Sequence, residues 1–374
     1  MTADTVVVGA GIAGCAAARA LAEAGESVLV LDRGGIGAGA SGRNGGFLFR
    51  QPASWVGELL AEAIPWYRRL EAEGPVPLDL REWPMLLLAV EEAELAHARA
   101  YAAAVGGQEV DLREDPWLAD DLAGGFVVEG GVTLDAMGAT TAAAEAARRA
   151  GARFELGCEA KRVLVAAGRV TGVATDAGVV GCARAVVAAG PRLRFLLRTA
   201  GADLPVSSSR GWLLETARVD PPPRYAIEQA LWPEQEEMGR LVADPTLGDV
   251  AAGAAEAPGL VSLLLGGRSA GHCLIGTSLG RSLLEEPEGP ETVRRLADRA
   301  VRVAPHLAGV PVVAAWSGRR AMTPDGLPVV GPAGDVEGLE VLGGLSSIGM
   351  LTAPGLARRL AAGDPGPFAA GRLP

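Results

Sequence analysis

The segment Thr5-Val-Val-Val-Gly-Ala-Gly-Ile-Ala-Gly14, followed by Val28-Leu-Val-Leu-Asp32, decides how the chain is read. Residues 6–8 are an unbroken apolar run, as expected of a strand covered on both faces of a parallel sheet. Gly9, Gly11 and Gly14 then have the spacing G-x-G-x-x-G. The three glycines act differently. Gly9 makes the tight turn, Gly11 lets backbone approach a pyrophosphate, and Gly14 lets the next helix lie close on the sheet. The phosphates of a dinucleotide would lie at that helix's N-terminus, where unpaired N–H groups and the positive end of the dipole favour negative charge.

The spacing predicts a helix over 12–24, closed by Gly25, and a second strand over 28–31. Asp32 at the end of that strand is placed to accept the hydroxyls of an adenosine ribose. Glycine spacing alone is weak in a chain with 52 glycines. The ordered series of strand, turn, helix, strand and acid carries the dinucleotide reading.

At 374 residues the chain exceeds one ordinary hydrophobic core, so two domains are expected. Hydrophobic residues make up 49% of it, yet no apolar window is long enough for a membrane span. A net charge of −11 argues against non-specific binding to nucleic acid or to an acidic membrane surface. Cys15, Cys158, Cys182 and Cys273 are scattered and form no metal-like cluster with His97, His272 or His306, so no metal is expected. The chain opens directly on its first strand without a basic segment and apolar stretch, which gives a cytoplasmic expectation. Lys161 is the sole lysine, so any mechanism needing one must use it.

Residues 33–46, Arg33-Gly-Gly-Ile-Gly-Ala-Gly-Ala-Ser41-Gly-Arg43-Asn44-Gly45-Gly46, are too glycine-dense for a regular element and read as a loop built for close approach. Ser41, Arg43 and Asn44 offer donors along it. G-A-S-G-R-N-G-G after a dinucleotide fold resembles the D-amino-acid oxidase superfamily of FAD enzymes, which includes glycine oxidase, sarcosine oxidase and D-amino-acid dehydrogenase. The resemblance implies that this loop wraps the pyrophosphate and flavin end of FAD.

Further along, helices are expected over 58–73, with a kink before Pro65, over 91–105 and over 135–150, and a strand over 83–90. Strands over 162–166, 170–175 and 185–189 resemble the superfamily's second nucleotide segment. By that resemblance the Val163 backbone meets the adenine and Gly190 lies near the adenosine. Residues 260–265 and 272–278 read as paired strands, residues 247–256 are hard to read, and a charged helix is expected over 290–303. His272 heads one of those strands, where the resemblance predicts a sheet lining the substrate cavity, and is a candidate catalytic residue.

The stretch Trp316-Ser-Gly-Arg-Arg320-Ala-Met-Thr-Pro-Asp-Gly-Leu-Pro closely resembles the superfamily's W-x-G-x-R-P-x-T-P-D-G-x-P motif. The motif's arginine falls on Arg320, and by resemblance it holds a substrate carboxylate. A planar guanidinium suits that role through two parallel hydrogen bonds. Residues 343–350 lead into a last helix whose N-terminus, in the family, points at the flavin pyrimidine, making Gly344, Ile348, Gly349 and Met350 candidates for backbone contact. The chain departs from the family at Ala321, where proline is common, and at Ser346-Ser-Ile348, where histidines are common. Sarcosine-oxidase-like members of the superfamily attach FAD through a cysteine near this motif; the nearest here is Cys273, so by that resemblance FAD is expected to be held non-covalently.

The expected architecture is α/β: a Rossmann-like FAD-binding domain of residues 1–80, 131–204 and 318–374, with an inserted, mostly antiparallel substrate domain of residues 81–130 and 205–317. The implied activity is oxidation of a C–N bond in an amino acid or amine, by hydride transfer to flavin N5 and hydrolysis of the imine, with O2 or another electron acceptor. A flavoprotein subunit of a larger complex, with an electron-transfer or structural role, is the alternative. An oligomer is compatible with either.

Overall fold

The computed structural model describes residues 2–230, 260–268, 270–281 and 290–373. Strand Thr5–Val8, helix Ile12–Glu23 and strand Val28–Asp32 follow one another as the glycine spacing predicts. Thr5–Val8 lies inside a six-stranded sheet, parallel to Val28–Asp32 on one side and to Arg184–Val187 on the other. Leu339–Gly343 extends the parallel set, Val329–Pro332 closes that edge antiparallel, and Arg153–Leu156 forms the opposite edge.

Apolar runs rather than alternation mark these strands because both faces are covered. Val7, Val30 and Val186 pack under helices Ile12–Glu23, Ser54–Glu73, Ala136–Arg149 and Gly349–Ala362. Val6, Leu29, Leu31 and Val187 pack on the other face, against an antiparallel meander of Ala160–Ala166, Arg169–Thr175 and Gly178–Gly181 and against helix Leu193–Thr199.

A second sheet has eight strands, in the order Val312–Met322, Ser207–Arg218, His272–Arg281, Leu260–Gly267, Ala226–Gln229, Met85–Ala89, Gly124–Val128 and Gln108–Val110. All its pairings are antiparallel except Ala226–Gln229 beside Met85–Ala89. Helix Pro290–Val303 covers one face through Leu296, Ala300 and Val303. The other face carries Met85, Leu87 and Phe126 with Phe49 and Trp83.

Several expectations shift by a turn. The helix expected over 58–73 begins at Ser54 and runs through Pro65, because Val56, Leu59, Leu60, Ala63, Tyr67 and Leu70 form one buried stripe that holds both halves in register. The strand expected from residue 83 starts at Met85, after Pro84, which has no amide to donate. Strand Val312–Met322 runs unbroken through position 318, where the sequence reading set a boundary. Residues 247–256 lie outside the described residues. Among the described residues no helix is long and apolar enough to cross a membrane, and no group of His, Cys, Asp and Glu could hold a metal ion.

Candidate active site

The glycine turn is closed by backbone crowding. Gly9 has φ +117°, and a Cβ there would overlap the Ala188 carbonyl, while a Cβ on Gly14 would overlap the Gly9 carbonyl. Gly11 brings the loop across the helix start: its Cβ would lie 2.9 Å from Ser41 Oγ. Ser41 Oγ accepts the Ile12 amide at 2.9 Å, capping a helix whose own N-cap residue has no side chain. Asp32 accepts the amides of Ala10 and Gly34, each at 2.8 Å, so its carboxylate ties the turn to the loop. Each carboxylate oxygen keeps a further lone pair for a ribose hydroxyl.

Asn44 does not extend its donors outward. Its side-chain amide donates to the carbonyls of Ala40 and Ser41 at 3.0 Å and accepts the Gly46 amide at 2.9 Å, which makes it the loop's internal brace. Gly46 has φ +72°, and a Cβ there would overlap the Leu134 carbonyl; a Cβ on Gly45 would strike the Phe47 ring. Arg33 and Arg43 are exposed, and Arg43 reaches the Ser317 carbonyl at 3.4 Å. The Val163 amide, expected at the adenine, donates to Thr199 Oγ1 at 3.0 Å, leaving its carbonyl as the group to consider. Gly190 has φ +55° and no atom within 4 Å of where a Cβ would stand, so the space beside it is open.

At the C-terminal end, Gly344 turns the chain with φ +64°, and the Ser346 amide donates to the Ala321 carbonyl at 2.9 Å. This ties residues 343–350 to the arginine strand. Pro354 lies inside helix Gly349–Ala362 and has no amide for the Met350 carbonyl. The buried Tyr67 hydroxyl supplies that hydrogen bond at 2.9 Å, fixing the helix start from the neighbouring helix.

Arg320 is placed by strand register. Val312–Met322 pairs with Ser207–Arg218 so that Ser209 faces Arg320 and Gly211 faces Gly318. Arg320 and Gly318 share one face of the sheet, and a Cβ on Gly318 would touch Arg43 and Ala40 of the glycine loop, so that face looks toward the loop. A Cβ on Gly211 would collide with the Arg320 guanidinium, which therefore lies flat across the neighbouring strand. There it donates to Thr277 Oγ1 at 2.7 Å and to the Ser278 carbonyl at 3.1 Å. No carboxylate lies within ion-pair distance of it among the described residues. Burial brings its pKa down to about 10, so it remains a cation at neutral pH in a poorly hydrated setting.

His272 is a correction. It pairs with Arg218, nine residues along the strand from Ser209, which pairs with Arg320. The Arg320 guanidinium, resting on Thr277 and Ser278, is five to six residues along strand His272–Arg281 from His272, about 16–20 Å at ~3.3 Å per residue. Its Nδ1 instead bonds the Thr216 carbonyl at 2.8 Å, the satisfied state of a strand-end histidine. Cys273 is fully buried beside it, and burial pushes its thiol up to about 11.

Gly211, Thr277, Ser278 and Tyr67 were not singled out from the sequence. Gly211 had a readable signal, a glycine interrupting the strand pattern Ser-Arg-Gly-Trp, which marks a close approach. The other three had none, since hydroxyls become partners only when distant strands meet.

The Gly9–Gly14 turn, the amide-braced loop and the open space at Gly190 all lie at the carboxyl ends of parallel strands, where α/β sheets bind nucleotides. The donor set therefore fits FAD. The family model "FAD dependent oxidoreductase", DAO, matches residues 4–362. A glycine oxidase of Pseudomonas aeruginosa is 28% identical over the full length of both chains. A 4-methylaminobutanoate oxidase (formaldehyde-forming) of Paenarthrobacter nicotinovorans is 27% identical over 97% of this chain, which spans only 44% of that enzyme. The glycine oxidase structure from Geobacillus kaustophilus superposes with a TM-score of 0.83 at 23% identity, covering 100% of this chain and 99% of that one, and so supports a two-domain FAD-binding fold. With a match across nearly the whole chain, the protein belongs to the DAO family of FAD-dependent oxidoreductases.

Proposed function

We propose that this oxidoreductase oxidises the C–N bond of a small amino acid or amine in the cytoplasm, with FAD held non-covalently. The observation that carries the reading is Arg320, a desolvated guanidinium without a carboxylate partner among the described residues, lying on the sheet face that looks toward the glycine loop. A cation so placed is costly unless an anion joins it, and a substrate carboxylate matches its planar fork. FAD, when bound, supplies a two-electron acceptor that takes a hydride at N5 from the carbon bearing the amine. The protein's part is to position. Arg320 grips the carboxylate, Gly211 leaves room for the guanidinium, and Thr277 and Ser278 hold it in place. The substrate reacts as the neutral amine, and the imine product hydrolyses in water. O2 or another acceptor then reoxidises the enzyme.

Gly9, Gly11, Gly14, Asp32 and Ser41 would hold the nucleotide, with Gly45, Gly46, Gly344, Ile348, Gly349 and Met350 toward the ring. Residues 1–80, 131–204 and 318–374 form the FAD-binding part in this reading. The burial of Cys273 on the sheet face covered by helix Pro290–Val303 supports non-covalent attachment.

Anaerobic mixing with a panel of amino acids and secondary amines tests the proposal. Bleaching of the flavin band by a panel member is expected, and Arg320→Ala should raise the half-saturating concentration of carboxylated substrates tenfold or more, the scale of a lost charge-assisted hydrogen bond. If no member bleaches the band, the protein is instead an electron-transfer or structural flavoprotein subunit.

A further inference from the structure

Among the described methionines, Met85, Met322 and Met350 are buried, whereas Met137 is 42% exposed. It is the second residue of helix Ala136–Arg149. A Cβ on Gly37 would stand 2.9 Å from Met137 Sδ, and a Cβ on Gly42 would stand 3.0 Å from the same sulfur and overlap its methyl group. The sulfur therefore rests on bare backbone at two points of the glycine loop, and a side chain at either would take its place.

Those two points hold the loop in shape. The Gly37 amide donates to the Ala10 carbonyl at 3.0 Å, which ties the loop to the glycine turn. The Gly42 amide donates to the Gly37 carbonyl at 3.0 Å, which closes the loop on itself. Ser41, just before Gly42, caps the first helix through the Ile12 amide, and Thr140 Oγ1 on the Met137 helix lies 3.4 Å from the Ser41 carbonyl. Met137 thus bears on the backbone that sets the helix start where a pyrophosphate is expected. A thioether is soft and apolar and suits that place, whereas a sulfoxide is polar and carries an extra oxygen. The amides of Gly37 and Gly42 are already engaged. A sulfoxide oxygen either competes for them or turns outward to water, and in both cases the sulfur leaves the loop.

We propose that Met137 is an oxidation site, at which peroxide converts the thioether to a sulfoxide and weakens the hold of the glycine loop on FAD. The oxidant is hydrogen peroxide, the product when O2 takes two electrons from a reduced flavin. A sulfur lone pair attacks one peroxide oxygen, and the S–O bond forms as the O–O bond breaks. The other oxygen takes the proton and leaves as water, so sulfur is oxidised by two electrons and peroxide is reduced by two. Methionine sulfoxide reductases reverse the step, which makes the loss of FAD reversible. The inference deepens the FAD site read along this loop and is independent of which amine is oxidised.

The test treats the holoenzyme with hydrogen peroxide, maps methionine oxidation by peptide mass, and compares FAD affinity before and after by fluorescence titration of the apoprotein. Met137 is expected to gain one oxygen ahead of Met85, Met322 and Met350. FAD should then bind roughly tenfold more weakly, the scale of one lost loop hydrogen bond, and recover after treatment with sulfoxide reductases of both epimer specificities. Met137→Leu, apolar and resistant to peroxide, should keep its own starting affinity through the same treatment although every cysteine is still present. Met137→Gln, polar like the sulfoxide, should bind FAD weakly without any peroxide. An unoxidised Met137, a fully oxidised Met137 with unchanged affinity, or an equal loss in Met137→Leu overturns the inference. Neither readout uses a substrate, so the result stands even if no amine bleaches the flavin and the proposed oxidation itself fails.

Discussion

Residue by residue, buried charge is what gives this protein its functional features. Arg320 and Glu228 both project from the eight-stranded sheet, and burial moves each toward its neutral form. For Arg320 the shift leaves the cation intact at neutral pH. For Glu228, on strand Ala226–Gln229, burial raises the carboxyl to about 7. A carboxyl raised in the folded state binds more protons than it does unfolded between its ordinary value of 4.5 and about 7. Stability from this group is therefore full below pH 4.5, declines as pH rises through that window, and stays low above it. Glu228→Gln is expected to raise the thermal midpoint by a few degrees at pH 8 and to have no such benefit at pH 4.5, which paired melts at the two pH values will check.

Among the secondary-structure elements, the last helix shows how one element completes another. Pro354 stops the Met350 carbonyl from bonding within helix Gly349–Ala362, and Tyr67 from helix Ser54–Glu73 takes up the vacancy. Burial pushes the Tyr67 hydroxyl's pKa far up, so it is a donor at every working pH. Tyr67→Phe leaves a buried carbonyl unsatisfied and is expected to cost about 1–3 kcal/mol of stability. A melt will show the loss. Because Met350 starts the helix expected to face the flavin, FAD affinity in the same variant should weaken as well, measurable by fluorescence titration of the apoprotein.

For the molecule as a whole, the glycine loop ties the two sheets together. It crosses the first helix at Ser41, reaches the arginine strand through Arg43 and ends at Phe47, which lies against Gly266 of the second sheet. A ligand seated along this loop binds the folded chain and not the unfolded one, so it stabilises by mass action. Raising free FAD to a hundred times its Kd should add about 2.7 kcal/mol and raise the thermal midpoint, and a midpoint independent of FAD would contradict the site. Release of all yellow colour on acid precipitation is expected of the same sample.

Local chemistry alone determined the glycine turn, the strands around it and the helix over 290–303, because turns and periodicity act over a few residues, while Arg320 was singled out by the resemblance of residues 316–328 to a family motif. Tertiary structure decided the rest. His272 looked well placed at the head of a strand until register put it nine residues from Arg320's rank, and Asn44 looked like a ligand donor until the loop folded back on it. Gly211, Thr277 and Ser278 became a cradle only once strands far apart in the chain lay side by side. The physical reason is that strand pairing is non-local: hydrogen-bond register selects which side chains share a face, and no window of sequence contains both partners.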